Sequence, residues 1–319
     1  MENAGSKRNL KYILQFLGKF KAGIGLLALV IVMSFLSDRF LTFPNMFNIF
    51  RQVSIMGIMA VGMTMVILSQ GIDLSVGSLL ALSGAVTAGV MTGEGSMVLA
   101  ILAGLAVGTG LGLFNGLMIS KANLPDFIVT LAMMSIARGL TLVYTEGRPI
   151  SGFDPAFRVI GGGRIGRVPV PVIFFLVIIV IGYLILNKTT FGRYIYAVGG
   201  NKQAARLAGI NTDGIKLKVY AISGFLAAVS GIILSSRLNS AQPTAGVAYE
   251  LDVIAMVVLG GTSLAGGKGS VGGTLIGALI IGVLNNSLNL LGVASFYQEV
   301  AKGLVILVAV LLDSLQQRD

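Results

Sequence analysis

"LSQGIDLSVGSLLALSG", residues 68–84, sets an acid, glycines and serines between two runs of apolar residues. At the centre of a bilayer helix an aspartate costs about 2.5–3.5 kcal/mol on insertion scales, so Asp73 needs a partner or a place at a helix end. Two readings follow. In one, the stretch is a capped reversal in which Asp73 or Ser75 accepts the free amides that open the next helix. In the other, it is a broken helix whose carboxylate and exposed backbone line the route of a polar solute.

The flanking sequence supports a membrane setting. Of 319 residues, 55% are hydrophobic and 11% charged, against about 25% charged in an ordinary soluble domain. Runs such as "IGLLALVIVMSFL" and "VIFFLVIIVIGYLIL" are continuous, unlike the alternating ten-residue strands of an outer-membrane barrel. A spanning helix needs about 20 apolar residues. Ten segments qualify as candidates: 22–37, 53–70, 76–93, 96–119, 127–145, 170–187, 217–236, 250–265, 271–292 and 297–313. The expectation is an all-α polytopic membrane protein, one domain over 1–319, with about ten transmembrane helices and broken or re-entrant segments. The 44 glycines read first as packing residues, because small side chains let helix backbones approach in lipid. With neither cysteine nor histidine, disulfides, thiol catalysis and the commonest transition-metal ligands are excluded; no metal site and no cofactor are expected.

The placement of the +10 charge matters more than its total, which in a soluble chain would suggest nucleic acid and here does not. The basic start "MENAGSKRNLKYILQFLGKFK" lacks a convincing cleavage site, so 1–21 reads as a cytoplasmic tail before an uncleaved anchor. With alternating spans, Lys121, Lys188, Arg193, Lys202, Arg206, Lys216, Lys218, Lys268 and Arg318 share the tail's side. Arg39, Arg51, Arg148, Arg158, Arg164 and Arg167 lie opposite. By the positive-inside rule both termini are then cytoplasmic. Two connections are long: 146–169, expected to face outward, and 188–216, expected to be cytoplasmic. Within the second, "NKQAARLAG" predicts a short surface helix opening after Asn201 as N-cap and closing at Gly209.

"VVLGGTSLAGGKGSVGGTLIGALIIG" repeats the opening pattern of apolar run, glycine-rich break with one charge, and a new apolar run. Ser75-Val76-Gly77 corresponds to Ser270-Val271-Gly272, and paired glycine-interrupted segments point to a transport site. A phosphate-loop reading fails on spacing: counting from Gly261, Gly267 stands where lysine is required, and Lys268 precedes Gly269 instead of Ser or Thr. No nucleophile elbow or zinc motif is present either, so nothing supports an enzyme. Polar residues inside the spans are Asn115, Arg138, Asn285, Asn286, Asn289, Gln298, Glu299 and Lys302. Glu299 and Lys302 are three apart and satisfy each other. Arg138 either faces a hydrated cavity or pairs with a carboxylate elsewhere. The asparagines of "NNSLN" serve as interhelical hydrogen bonds or as groups along a solute pathway. Substrate-pathway candidates are therefore Asp73, Ser75, Arg138, Asn285, Asn286 and Asn289.

Five ordered stretches carry a resemblance: "GIMAVGMTMVILSQGIDLSVGSLLAL", "GRYIYAVGGNKQAARLAGIN", "SAQPTAGVAYELD", "VVLGGTSLAGGKG" and "LIGALIIGVLNNSLNLLGV". Together they resemble the permease subunits of bacterial ATP-binding-cassette sugar importers, over nearly the whole chain. The resemblance implies ribose first, with another pentose, a hexose or an autoinducer sugar as alternatives, in the bacterial plasma membrane. It implies an ATP-binding cassette subunit, an extracytoplasmic sugar-binding protein and a second permease subunit, in a homodimer, as partners besides membrane lipid. It also implies that Asn201, Gln203, Ala204, Ala205, Arg206 and Gly209 carry the contact with the ATP-binding subunit. Ala204-Ala205, three residues and Gly209 match the family's pattern, while Lys202-Gln203 replaces the acid often found before the alanines. The rival is an ion-coupled secondary transporter, which would be expected to place ionisable residues at the midplane.

Overall fold

The computed structural model describes residues 21–93 and 95–316; the tail reading for 1–20 and the placement of Arg318 fall outside them. Each of the ten expected segments overlaps a helix, with α2 starting ten residues earlier than the expected 53: α1 (Lys21–Leu36), α2 (Phe43–Leu68), α3 (Val76–Thr92), α4 (Met97–Ser120), α5 (Asp126–Thr145), α7 (Val170–Lys188), α10 (Thr212–Leu238), α11 (Tyr249–Leu259), α12 (Val271–Leu290) and α13 (Ser295–Gln316). Between them lie α6 (Pro155–Gly162), α8 (Thr190–Gly200) and α9 (Lys202–Leu207). Two-residue strands complete the chain: β1 (Ile150–Ser151), β2 (Arg164–Ile165), β3 (Val168–Pro169) and β4 (Ser240–Ala241). Six helices, α2, α4, α5, α7, α10 and α12, are long and apolar enough to cross a membrane; α1 and α3 are shorter apolar helices.

Burial sorts the long helices. Within its most apolar window α2 is 83% buried and α10 67%, whereas α4, α5 and α7 bury only 22–28%. The pair α2 and α10 therefore forms the centre, and the outer helices turn Leu, Val, Ile and Phe side chains outward, as a lipid-facing surface requires. Close approach at the centre depends on glycine. On α4, Gly108, Gly112 and Gly116 stand four residues apart, and a Cβ on any of them would strike the backbone of Tyr220, Gly224 or Leu217 on α10. This bears out the reading of glycine as packing.

The segment 250–265 departs from expectation as a full span. Helix α11 has 11 residues, about 16 Å at 1.5 Å per residue, roughly half the hydrocarbon thickness. Beyond it Gly261, Gly266, Gly267 and Gly269 all adopt positive φ, a region closed to continued helix and open mainly to glycine. Hydropathy alone carries the apolar signal through to Ala265; backbone freedom ends the helix at Leu259.

The connections gather at two ends of the bundle. At one, called here the lower face, the Gly267 amide donates to Leu68 O at 3.0 Å, Gln70 Nε2 donates to Ala265 O at 2.8 Å, and the Tyr196 hydroxyl donates to Gly269 O at 2.9 Å. The two glycine-rich breaks thus meet, a contact their sequence correspondence did not specify, and Ser75 and Ser270 each stand just before a helix, α3 and α12. At the upper face β1 pairs antiparallel with β4, Ile150 opposite Ala241. There the Gly161 amide donates to Ser236 Oγ at 2.7 Å, tying α6 to the end of α10. The segment 146–169 is accordingly an ordered cap of strand, helix and β2–β3 hairpin.

Candidate functional site

Asp73 is fully buried. Its Oδ1 accepts from the Ser75 amide at 3.0 Å and from Ser75 Oγ at 2.6 Å, and its Oδ2 accepts from Ser223 Oγ at 2.8 Å. Asn115 Nδ2 donates in turn to Ser75 Oγ at 3.0 Å. Ser223 lies eleven residues into α10, about 16 Å along its axis, so the turn 69–75 folds back well inside the bundle. The geometry is that of the capped reversal, set inside the bundle. Asp73 does take a free amide, that of Ser75, while the Ser75 side chain makes no cap bond of its own. The same carboxylate fixes the turn to α10 through Ser223, and Ser75 ties it to α4 through Asn115. Three donors offset the desolvation that an isolated buried carboxylate would suffer.

The turn is held from below by a second cluster that the sequence does not announce. Lys216 Nζ meets Asp126 Oδ2 at 2.5 Å and donates to Gln70 O at 3.0 Å. The Tyr220 hydroxyl donates to Asp126 Oδ2 at 2.9 Å and lies 3.3 Å from Ile72 O, which also accepts from Thr130 Oγ1 at 3.1 Å. Lys216, Tyr220 and Ser223 follow one stripe of α10 at three- and four-residue steps, so one face of a single helix grips the turn from Gln70 to Asp73. A pocket of about 280 Å³ opens beside Asp126 and Lys216 toward Lys202.

The remaining pathway candidates do not converge on Asp73. Arg138 donates through Nη1 to Pro243 O at 2.9 Å and Ala245 O at 2.7 Å, with Glu250 as its nearby acid. It holds the segment 242–248, whose Gly246 abuts Gly77 in the first turn of α3. Asn286 and Asn45 exchange amide hydrogen bonds at 2.8 and 3.0 Å, which joins α12 to α2 and bears out the interhelical alternative for that residue. Asn289 accepts from Gln298 at 3.1 Å. Asn285 Oδ1 is buried without a partner. Lys302 does meet Glu299 at 3.1 Å, and it also reaches Asp252 at 3.4 Å.

At the lower face α9 is a six-residue helix. Asn201 Oδ1 accepts the Ala204 amide at 2.9 Å, as an N-cap should. Gly209 has φ +83, and the Ile210 amide closes back onto Ala205 O at 3.0 Å, a glycine-terminated helix end. Gln203, Ala204, Arg206 and Gly209 are exposed. Ala205 is not: it is 5% exposed and belongs to the chain's own core. The most prominent apolar group is Leu207, 91% exposed, which the alanine pattern passes over. Nearby in α8, burial pushes the Tyr196 phenol up from its ordinary value.

A bundle of long apolar helices around a buried polar turn, with a small exposed helix at one face, is the build of a membrane permease. Residues 45–310 match the family described as branched-chain amino acid transport system / permease component, and the chain belongs to that family. It is 53% identical over 301 residues to the ribose import permease protein RbsC of Escherichia coli (strain K12), covering 93% of this chain and 94% of the relative. To the ribose import permease protein RbsC of Bacillus subtilis (strain 168) it is 54% identical over 303 residues, covering 94% and 93%. The D-allose transport system permease protein AlsC of Escherichia coli (strain K12) is 42% identical over 279 residues, covering 87% and 86%. No solved structure matches.

Proposed function

We propose that the chain is the membrane-spanning permease of an ATP-driven, binding-protein-dependent importer in the bacterial plasma membrane, and that its cargo is ribose. The observation that carries the cargo is the margin between relatives: 53–54% identity to ribose import permeases of two bacteria against 42% to a D-allose permease. In this reading all ten apolar helices cross or enter the membrane, both termini are cytoplasmic, and the lower face is the cytoplasmic one. The segment 146–169 then meets the sugar-binding protein, and a second copy of the chain completes the passage.

Moving an uncharged polyol breaks no covalent bond. The chain has to offer replacement hydrogen bonds in a passage that opens alternately to each side. Helix α9 supplies the docking contact with the ATP-binding subunit through Leu207, Ala204 and the polar side chains Gln203 and Arg206. It leads through Gly209 directly into α10, and α10 carries Lys216, Tyr220 and Ser223 to the Asp73 turn. A displacement of α9 on cassette closure is thereby delivered to the break between α2 and α3, and closure biases whichever arrangement it contacts better.

The test is reconstitution in liposomes with the ATP-binding subunit and the sugar-binding protein. Labelled ribose should accumulate only with ATP and persist when ion gradients are collapsed, with allose and arabinose entering far more slowly. Uptake driven by an ion gradient without ATP would establish the secondary-transporter reading instead, and equal uptake of the three sugars would remove the assignment to ribose.

A further inference from the structure

At the upper face, between the first three turns of α2 and the hairpin that leads into α7, lies a pocket of about 320 Å³ lined by Phe43, Phe47 and Arg51 of α2 and by Arg164, Arg167 and Pro169 of the β2–β3 hairpin. None of these three arginines forms an ion pair among the described residues. Arg51 Nη2 donates to Asn48 at 3.0 Å, but its Nε is buried without a partner, and Arg237 brings a further like charge close to it. Helix α2 opens onto the same pocket with no side-chain cap and no acid in its first turn, so the positive end of its dipole adds to the field. No carboxylate lines the pocket. Three guanidinium groups left without a counter-charge around a cavity call for an anion, and their planar forks suit phosphate oxygens.

Depth decides what brings the anion. Helix α2 is a spanning helix that begins at Phe43, and α7 is another that begins at Val170, immediately after Pro169. On the proposed membrane reading the apolar run of α7 starts at this level and that of α2 starts just past Arg51, so the pocket sits in the headgroup layer. Phe43, which lines it, is 74% exposed, and Ile165, next to Arg164 in β2, is 67% exposed; such side chains belong against acyl chains and not in water. We propose that this pocket binds the phosphate headgroup of an anionic membrane lipid, its acyl chains lying over Phe43 and Ile165. The site is independent of the sugar carried, and leaves the outer part of the 146–169 cap, around Arg148 and Arg158, free for a protein partner.

The experiment is native mass spectrometry of the intact, delipidated permease titrated with phosphatidylglycerol, phosphatidylcholine or inorganic phosphate. Two double variants are compared, Arg164→Gln/Arg167→Gln and Arg148→Gln/Arg158→Gln; all four residues are exposed, so the fold is kept, and both variants lose the same charge from one face. The pocket variant should bind phosphatidylglycerol roughly 30-fold more weakly, with the control variant within twofold of the parent. Phosphatidylcholine should show no such difference. Equal loss in both variants would reduce the effect to surface charge and overturn the site. Inorganic phosphate binding as tightly as the lipid would remove the lipid assignment. Sugar-binding-protein attachment lost in the pocket variant, with lipid binding unchanged, would make the arginines a protein contact instead.

Discussion

Asp73 divides what a residue does for the fold from what it does for transport. Its carboxylate takes three hydrogen bonds, two at Oδ1 from Ser75 and one at Oδ2 from Ser223. Asp73→Asn keeps the oxygen that faces Ser75, and the Ser223 hydroxyl can rotate to accept from the new amide. Asp73→Ala strands the Ser75 amide and both hydroxyls in a dry interior, at about 1–3 kcal/mol for each buried group left unsatisfied. The Ala variant should therefore lose detergent-solubilised thermal stability and membrane level, while Asn retains both, with uptake near the parent value. An Asn variant of full stability without uptake would show instead that the charge itself serves the cargo. The ion pair beneath it is a second residue-scale case, because Lys216 is 6% and Asp126 21% exposed at the side chain. Lys216→Met alone leaves the carboxylate facing Tyr220 without its cation and should cost about 3 kcal/mol, whereas Lys216→Met with Asp126→Leu should recover most of that loss; thermal unfolding of the three variants decides it. The need of Asp73 for a partner was legible in the sequence from the price of an acid among apolar runs. The partners were not, since Ser223 is 150 residues away and Lys216 lies 90 from Asp126, and no local pattern joins them.

The helices themselves were largely legible, because a run of about 20 apolar residues has few other fates. Helix α8 was not, since its 11 residues mix glycine, tyrosine and one arginine without a long apolar run. The β1–β4 pair, whose strands are two residues each, is set by tertiary contact and leaves no periodicity to read. Helix α9 shows the limit most sharply: caps at Asn201 and Gly209 mark its ends, but six residues are too few for a hydrophobic period to say which side faces in. The structure turns Ala205 inward and Leu207 outward, which changes the substitution that probes docking. Ala205→Glu would bury a carboxylate in the permease's own core and damage it with or without a partner. Leu207→Glu alters a side chain already 91% exposed and should leave the isolated permease intact. If α9 docks through Leu207, that variant should lose co-purification with the ATP-binding subunit by at least about tenfold, the scale on which a buried anchor contributes to an interface. Uptake should fall with it, while sugar-binding-protein attachment is kept. Full uptake with an intact complex in Leu207→Glu would remove α9 as the docking element.

At the scale of the whole molecule, the structure sorts the connections into two faces, and charge supplies the orientation. The lower face gathers Lys121, Lys188, Arg193, Lys202, Arg206, Lys216, Lys218 and Lys268, while Arg39, Arg51, Arg148, Arg158, Arg164, Arg167 and Arg237 lie on the upper side. The acids Glu146 and Asp154 dilute the upper set, but the orientation rule counts lysine and arginine and gives little weight to acids, which is why the proposed reading puts the lower face on the cytoplasmic side. The chain contains no cysteine, so single cysteines report their own position. Ser151 in β1 and Gln203 in α9 are exposed, and both sites accept a small thiol without disturbing a core contact. In intact spheroplasts an impermeant thiol reagent should label Ser151→Cys and leave Gln203→Cys untouched; after the membrane is opened both should react. The reverse pattern would invert the molecule. It would place α9 outside, beyond reach of any cytoplasmic ATP-binding subunit, so the docking assignment and the orientation stand or fall in the same measurement. Labelling of both sites before opening would mean leaky spheroplasts, which a cytosolic cysteine-bearing protein in the same sample reveals, and intact samples then give the orientation unambiguously.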